Sequence, residues 1–141
     1  MKQFVCALAA ACVPLAIPVS ALGAPPGRDI SGVYDCSGRD EHLGAYEERY
    51  ELRLDPTHHA SNSHGYSTKG YMNGALAYTG EAIAVGKHVA VNFMSSSDKT
   101  DHGTVIGTLD FKAPIKFKGE YFESLYSGGN SGTIMCSRTG D

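Results

Sequence analysis

Residues 45–55 read AYEERYELRLD, and the spacing of their side chains decides the fold. Every second residue from Tyr46 to Leu54 is apolar except Glu48, and all four residues between them are charged. Because successive side chains of a β-strand point to opposite faces, this alternation predicts a strand with one buried and one solvated face. The charged Glu48 on the apolar face then needs an explanation.

The same alternation recurs along the chain and predicts eight strands, with no helix of useful length. The predicted strands span residues 30–36, 45–55, 65–72, 75–84, 87–94, 103–111, 115–123 and 132–138. Asn73-Gly74 is a strong signal for a two-residue hairpin turn. Longer polar breaks occupy residues 37–44, 56–64, 95–102 and 125–131. Short neighbouring strands favour an all-β fold, an eight-stranded antiparallel up-and-down barrel, with a two-sheet β-sandwich as the alternative.

Residues 1–23 have the layout of a secretory signal peptide, with Lys2, an apolar run from Phe4 to about Val19 and small residues after it. Lipoprotein processing at Cys12 is the alternative. Cleavage leaves residues 24–141, a length typical of one domain. We therefore expect a bacterial protein that is periplasmic or secreted. It has no predicted membrane span, because no stop-transfer pattern follows the apolar run.

The remaining chain has 11 basic and 15 acidic side chains, a formal net charge near −4. The lysines are scattered and form no basic run, which argues against a nucleic-acid partner. Removal of the signal peptide leaves two cysteines, Cys36 and Cys136. An even pair in an exported chain typically forms a disulfide. In a closed meander the first and last strands pair, so this bond would fasten the seam; a reactive thiol or a metal ligand is the alternative.

Successive connections of an up-and-down barrel alternate between its two ends. The breaks at 37–44, 95–102 and 125–131 therefore share one end, the mouth. Four possible metal ligands gather there: His42, Asp40, Asp98 and His102. Imidazoles and carboxylates are suitable ligands for Zn²⁺ or another divalent ion. The alternative is that these are ordinary solvated loops.

Glu48 suggests a different site. An unpaired buried carboxylate is costly or has a strongly raised pKa. Glu48 therefore either pairs with a basic side chain or a polar ligand inside the barrel, or is turned outward by a kink in the strand. A carrier of a small ligand, of the lipocalin sort, would use the aromatic interior together with Glu48.

Two motifs point to a protein partner. Tyr34-Asp35-Cys36 and a second cysteine near the C-terminus, together with SHGYSTKG at residues 63–70, resemble the small periplasmic lysozyme inhibitors of Gram-negative bacteria, which are compact β-barrels. The resemblance implies that Ser63, Tyr66 and Lys69 are inhibitor residues, with the lysine pairing with a catalytic carboxylate in an acidic cleft. The spacing of the second motif departs from the family pattern.

No motif supports catalysis: the sequence has no P-loop, no H-E-x-x-H and no G-x-S-x-G. We therefore expect an exported binding protein that is not an enzyme and needs no cofactor. The first hypothesis is an inhibitor of a lysozyme-type cell-wall hydrolase or a similar protein partner. The alternatives are a small-ligand carrier and a metal-binding protein or enzyme that uses the mouth around His42 and His102.

Overall fold

The computed structural model describes residues 28–60, 62–124 and 128–141, and the predicted signal peptide lies outside these ranges. The strands are β1 (Gly32–Asp40), β2 (Gly44–Ala60), β3 (Ser63–Met72), β4 (Ala75–Val85), β5 (His88–Ser95), β6 (His102–Asp110), β7 (Lys116–Glu123) and β8 (Asn130–Gly140). Each strand pairs antiparallel with its neighbours in sequence, and β1 pairs with β8 to close the barrel. The predicted all-β, eight-stranded up-and-down barrel is confirmed. None of the described residues forms a helix long and apolar enough to cross a membrane.

The predicted long break at residues 56–64 is wrong. β2 continues to Ala60 and β3 starts at Ser63, so only two residues separate the strands. The pairing of β2 with β3 shifts register between Leu54 and His59, and β2 carries extra residues there. The Asp55 carboxylate holds this bulge by accepting hydrogen bonds from the Thr57 N–H (2.8 Å) and hydroxyl (2.6 Å). Pro56 is tolerated in the strand because a bulge interrupts the ladder.

The seam between β1 and β8 carries the disulfide. Cys36 and Cys136 are direct partners in this pairing, with their Cα atoms 4.0 Å apart and an S–S distance of 2.06 Å. Both side chains face the interior and are buried. The predicted disulfide is confirmed, and it joins positions separated by 100 residues at the place where the barrel closes.

One end of the barrel is filled with apolar side chains, and we call it the apolar end. Its buried cluster consists of Ile30, Tyr66, Ala82, Ala84, Val89 and Leu109. Ile30 precedes β1 and is 1% exposed. Its N–H donates to the Tyr66 hydroxyl (3.2 Å), and its carbonyl accepts from the Tyr34 hydroxyl (2.8 Å). The segment before β1 therefore closes this end.

Inward-facing aromatic rings lie against glycines of neighbouring strands. A Cβ atom built on Gly70, for example, would lie 3.0 Å from the Tyr50 ring. The same relation holds for Tyr46 with Gly38, Phe93 with Gly103, Phe117 with Gly107 and Gly119, and Tyr121 with Gly132. Each glycine makes room for a large ring inside a narrow barrel. The ring also packs over the strand backbone where the glycine has no side chain of its own to stabilise the strand.

Candidate binding site at the polar end of the barrel

The inward-facing residues change character along the barrel axis. At the end opposite the apolar end, β1, β3, β5 and β7 finish and β2, β4, β6 and β8 begin. The buried polar residues there are Asp40, Ser95, Asp101, Glu123 and Asn130. This is the mouth expected from the loop topology, and we call it the polar end. Side chains that usually face water are instead directed into the barrel.

Asp40 anchors the polar end. Its carboxylate accepts hydrogen bonds from the backbone N–H groups of His42 and Leu43 (both 2.7 Å), from the Tyr121 hydroxyl (2.5 Å) and from the Asn130 amide (2.7 Å). Burial alone would raise its pKa, but these hydrogen bonds, that of Tyr121 first, outweigh burial and lower the pKa. Asp40 is therefore a structural anion that fixes the β1–β2 turn.

Asn130 connects this anchor to a second carboxyl. Its side chain is 1% exposed. The amide nitrogen donates to Asp40 (2.7 Å) and to Glu123 (2.9 Å), and the amide oxygen lies 2.8 Å from Nδ1 of His42. A buried amide lowers the stability of the fold if any of its donors or acceptors has no hydrogen-bond partner. Asn130 thus fixes the positions of Glu123 and the start of β8.

Glu48 faces the interior. The pairing of β1 with β2 runs through Cys36 and Glu48 without a register shift, so the strand has no kink that would turn Glu48 outward. Burial, followed by the negative charge of Glu123, raises the pKa of Glu48 to about 7. Burial also raises the pKa of Glu123, although the hydrogen bond from Asn130 opposes this effect. Two carboxyls with raised pKa values therefore share the inside of the polar end.

Four tyrosines complete the wall: Tyr46, Tyr50, Tyr78 and Tyr121 line the same cavity as Glu48 and Glu123. Burial raises the pKa of each hydroxyl, so all four are neutral at physiological pH. The rings of Tyr78 and Phe93 meet edge to face with centroids 5.2 Å apart, and those of Tyr46 and Tyr121 do so at 6.1 Å. The wall presents aromatic faces and hydroxyls beside carboxyls.

The interior space has two parts. The mouth cavity, lined by Glu48, Glu123 and the four tyrosines, has a volume of about 50 Å³. The inner cavity is apolar, has a similar volume of about 50 Å³, and is lined by residues such as Leu52, Val89 and Phe117. Tyr50, Val105 and Ile134 line both. The polar cavity at the mouth and the apolar cavity further inside therefore lie next to each other.

The predicted metal ligands lie in two separate hydrogen-bond networks, one with Asp40 and His42 and the other with Asp98 and His102. The His42 ring contacts Asn130, whereas Nδ1 of the His102 ring contacts the Thr100 carbonyl (2.9 Å) and the Ser124 hydroxyl (3.3 Å). Asp98 accepts from the N–H and hydroxyl of Thr100. Within the part of the chain that the structure describes, no group of three or more His, Cys, Asp or Glu side chains is arranged to hold a metal ion. Of the four, only Asp40 lines the mouth cavity.

The residues implied by the lysozyme-inhibitor resemblance lie on β3 rather than in a loop. Tyr66 faces the interior and is 2% exposed, while Lys69 lies on the outer face. Ser63, at the start of β3, is half-buried. Six strand residues span roughly 20 Å, so Ser63 and Lys69 would contact a partner at separate places. Lysozyme inhibition stays a prediction.

Sequence reasoning found Glu48 but missed Tyr121, Glu123 and Asn130. The signal for two of them was present: Phe117, Tyr121 and Glu123 share one face of β7 by the period of two, so Glu123 breaks an apolar face as Glu48 does. Asn130 follows two glycines, and nothing local in that turn indicates a buried amide.

No family model matches the chain, and no curated protein matches it either. Among solved structures, the chain is similar to a redesigned β-barrel, b11L5F_LGL, with a TM-score of 0.51 and 15% identity over 77% of this chain and 90% of that chain. It is also similar to EF1p2_mFAP2b bound to DFHBI, with a TM-score of 0.53 and 10% identity over 77% of this chain and 93% of that chain. At these identities the likeness concerns the fold alone. Fold and site together define a small closed antiparallel β-barrel with a polar, carboxyl-lined end.

Proposed function

We propose that the chain is a binding protein that holds a small ligand inside the polar end of its barrel, in contact with Glu48. The observation that carries this proposal is that Glu48 lines an interior cavity beside Glu123 and has a pKa raised to about 7. Perturbed carboxyls in a concave site are typical of functional sites.

The energetics of the barrel favour this interpretation. At the apolar end, apolar side chains fill the interior of the barrel. Glu48 and Glu123 lower the stability of the barrel instead, because burial disfavours their ionised forms. Inward-facing carboxyls that lower stability are expected mainly at positions where function requires them.

The fold is compatible with a bound small molecule. EF1p2_mFAP2b, a protein of similar fold, has a structure with DFHBI bound. The two cavities of this chain are small, about 50 Å³ each, whereas drug-sized ligands occupy pockets of roughly 300–1,000 Å³. The expected ligand is accordingly a compact polar group with a short apolar part.

Export to an oxidising compartment is part of the proposal. The Cys36–Cys136 disulfide supports it, because disulfides persist mainly in exported proteins. An intact mass of the protein recovered from the periplasm tests this point. Loss of residues 1–23 together with an oxidised cysteine pair is expected, and an uncleaved, reduced chain would contradict export.

Native mass spectrometry of the purified protein, followed by a thermal-shift screen of small metabolites, tests the binding function. We expect at least one compound to bind wild-type protein and to lose affinity for Glu48→Ala. Glu47→Ala is the matched control, since Glu47 neighbours Glu48 on β2 but is exposed on the outer face. Equal loss in both variants, or no binding to wild type, would overturn the proposal.

A further inference from the structure

The class of ligand can be inferred from the chemistry of the polar end, and this inference rests on the proposed function. We propose that the site binds a small protonated amine, with its ammonium group between Glu48, Glu123 and the tyrosine rings and a short alkyl chain in the inner cavity.

The charged side chains that line the mouth cavity are all acidic. Glu48 and Glu123 line the mouth cavity together with Asp40, and no Lys, Arg or His is among the described residues that line it. Asp40 is already satisfied by four hydrogen bonds, so it adds negative potential and has little need of a counter-ion. The ion pairs of the described chain, such as Arg49 with Asp35, lie on the outer surface. A positive charge is the complement that this interior lacks.

A second and independent observation concerns Asp101, which precedes β6. Its side chain is buried, with 7% exposed, and its Oδ1 atom has no hydrogen-bond partner among the described residues. The charge of Asp101 acts on both Glu123 and Tyr78, whose pKa values it helps to raise. A buried carboxylate oxygen without a donor is costly. Asp101 is not among the described residues that line the mouth cavity, so it contributes negative potential rather than a direct contact, and this potential would stabilise an ammonium group near Glu123.

The aromatic wall favours an ammonium ion over a hard metal ion. Tyr46, Tyr78 and Tyr121 line the mouth cavity, and the edge-to-face contacts keep their rings in fixed orientations. Aromatic faces attract ammonium groups through the ring quadrupole, and this attraction strengthens where water is excluded. The described side chains also provide no set of three converging metal ligands. The carboxyls of Glu48 and Glu123 together with the tyrosine rings are therefore suited to bind an organic cation.

The inner cavity defines the remainder of the ligand. It is lined by Leu52, Val89, Phe117 and other apolar side chains, and it lies next to the mouth cavity, with which it shares Tyr50, Val105 and Ile134 as lining residues. Ile30 closes the barrel beyond it. An alkyl chain attached to the ammonium group would pass between these shared side chains into the inner cavity, and the volume of about 50 Å³ in each cavity limits it to a short chain, which excludes a long fatty chain.

A matched series of three probes tests the proposal by isothermal titration calorimetry on the oxidised protein at pH 8: n-hexylamine, n-hexanol and hexanoate. We expect n-hexylamine to bind at least roughly tenfold more tightly than n-hexanol, because only the amine forms charge-assisted hydrogen bonds. Hexanoate should not bind. Glu48→Gln and Glu123→Gln should each weaken the amine by roughly tenfold, and Glu47→Gln should leave it unchanged.

The outcomes separate the two proposals. Equal affinity for n-hexylamine and n-hexanol would overturn the amine inference and leave a ligand-binding barrel. Retention of amine affinity in both glutamine variants would likewise overturn the site. Failure of all three probes, together with a screen without hits, would overturn the binding function itself. Circular dichroism of each variant shows whether the barrel is intact, and the two glutamine variants provide independent tests if one is not.

Discussion

Glu48 of β2 and Glu123 of β7 line the same interior cavity, and after burial the charge of Glu123 is the factor that raises the pKa of Glu48 to about 7. The two residues are 75 positions apart in sequence and lie on strands that do not pair with each other. Closure of the barrel places them in one site, and their mutual repulsion makes that site sensitive to pH.

Stability should fall as pH rises through neutrality. A carboxyl with a pKa raised in the folded state, here from 4.5 to about 7, stabilises the fold fully below pH 4.5, and this contribution is lost as pH rises to about 7. The loss is on the order of 3 kcal/mol. Urea unfolding of wild type and Glu48→Gln from pH 4.5 to 8 measures it. Because the glutamine variant lacks this titration, it should be the more stable protein at pH 8.

The other groups that face Glu48 set the background of this experiment. They are Asp40, Glu123, Tyr46, Tyr50, Tyr78 and Tyr121. Glu123 also has a raised pKa and adds to the slope in the same direction. The matched control is Glu47→Gln on the outer face. Parallel curves for wild type and Glu48→Gln would show that Glu48 does not titrate differently in the folded state.

Removing the Asp40 carboxylate should destabilise the polar end at neutral pH. Asp40→Ala leaves the N–H groups of His42 and Leu43 and the amide of Asn130 without their acceptor. We expect a loss of about 1–3 kcal/mol in urea unfolding. The pKa of Asp40 is lowered, so this contribution is present above pH 3.8 and disappears as pH falls through the folded-state value.

Asp35→Ala is the control on the same strand. Asp35 pairs with Arg49 at 3.0 Å on the surface, and both side chains are more than half exposed. Exposed pairs contribute less than about 1 kcal/mol. If both alanine variants lost the same stability, the hydrogen bonds to Asp40 would not be anchoring the turn.

The disulfide should account for a large part of the stability of the barrel. Its loop of 100 residues corresponds to roughly 4–5 kcal/mol in the chain-entropy model. The double variant Cys36→Ala/Cys136→Ala should therefore unfold at a much lower urea concentration. Dithiothreitol should lower the stability of wild type similarly and leave the double variant unchanged. Unchanged unfolding of the double variant would show that closure of β1 on β8 needs no covalent bond.

Gly132 should be intolerant of even a methyl group. A Cβ atom there would lie 2.5 Å from Cζ and Oη of Tyr121 and from the Arg39 carbonyl. Gly132→Ala should displace the Tyr121 ring, break its hydrogen bond to Asp40 and cost about 1–3 kcal/mol. Gly140→Ala in the same strand is the control, because its nearest atom would be Val33 Cβ at 3.8 Å. Similar unfolding of the two variants would count against the close contact of Tyr121 with Gly132.

The fold could be predicted from the sequence because its information is local. Alternation along residues such as Tyr46 to Leu52 gives the strand and its inward face, and Asn73-Gly74 gives a hairpin whose residues have φ values of 52° and 76°. The end of β2 was not predictable in the same way. Pro56 is typical of the end of a strand, and β2 extends to Ala60 only because it pairs with β3 beyond the bulge.

The site was predictable only in part. Glu48 could be found because a charge interrupts an apolar face. The partners that make it a site come from distant positions: Asn130 bonds Asp40 across 90 residues, and Asp101 acts on Glu123 from the segment before β6. Such contacts follow from barrel closure and register, which no short stretch of sequence encodes.

The most direct test of the binding site is a carboxyl ¹³C NMR titration of Glu48, without and with n-hexylamine. In the free protein the Glu48 carboxyl should titrate near pH 7. Bound amine favours the ionised carboxylate, so its presence should move the midpoint to lower pH. A midpoint near the ordinary value of 4.5 that the amine leaves unchanged would contradict both the raised pKa of the inward-facing carboxyl and the site built around it.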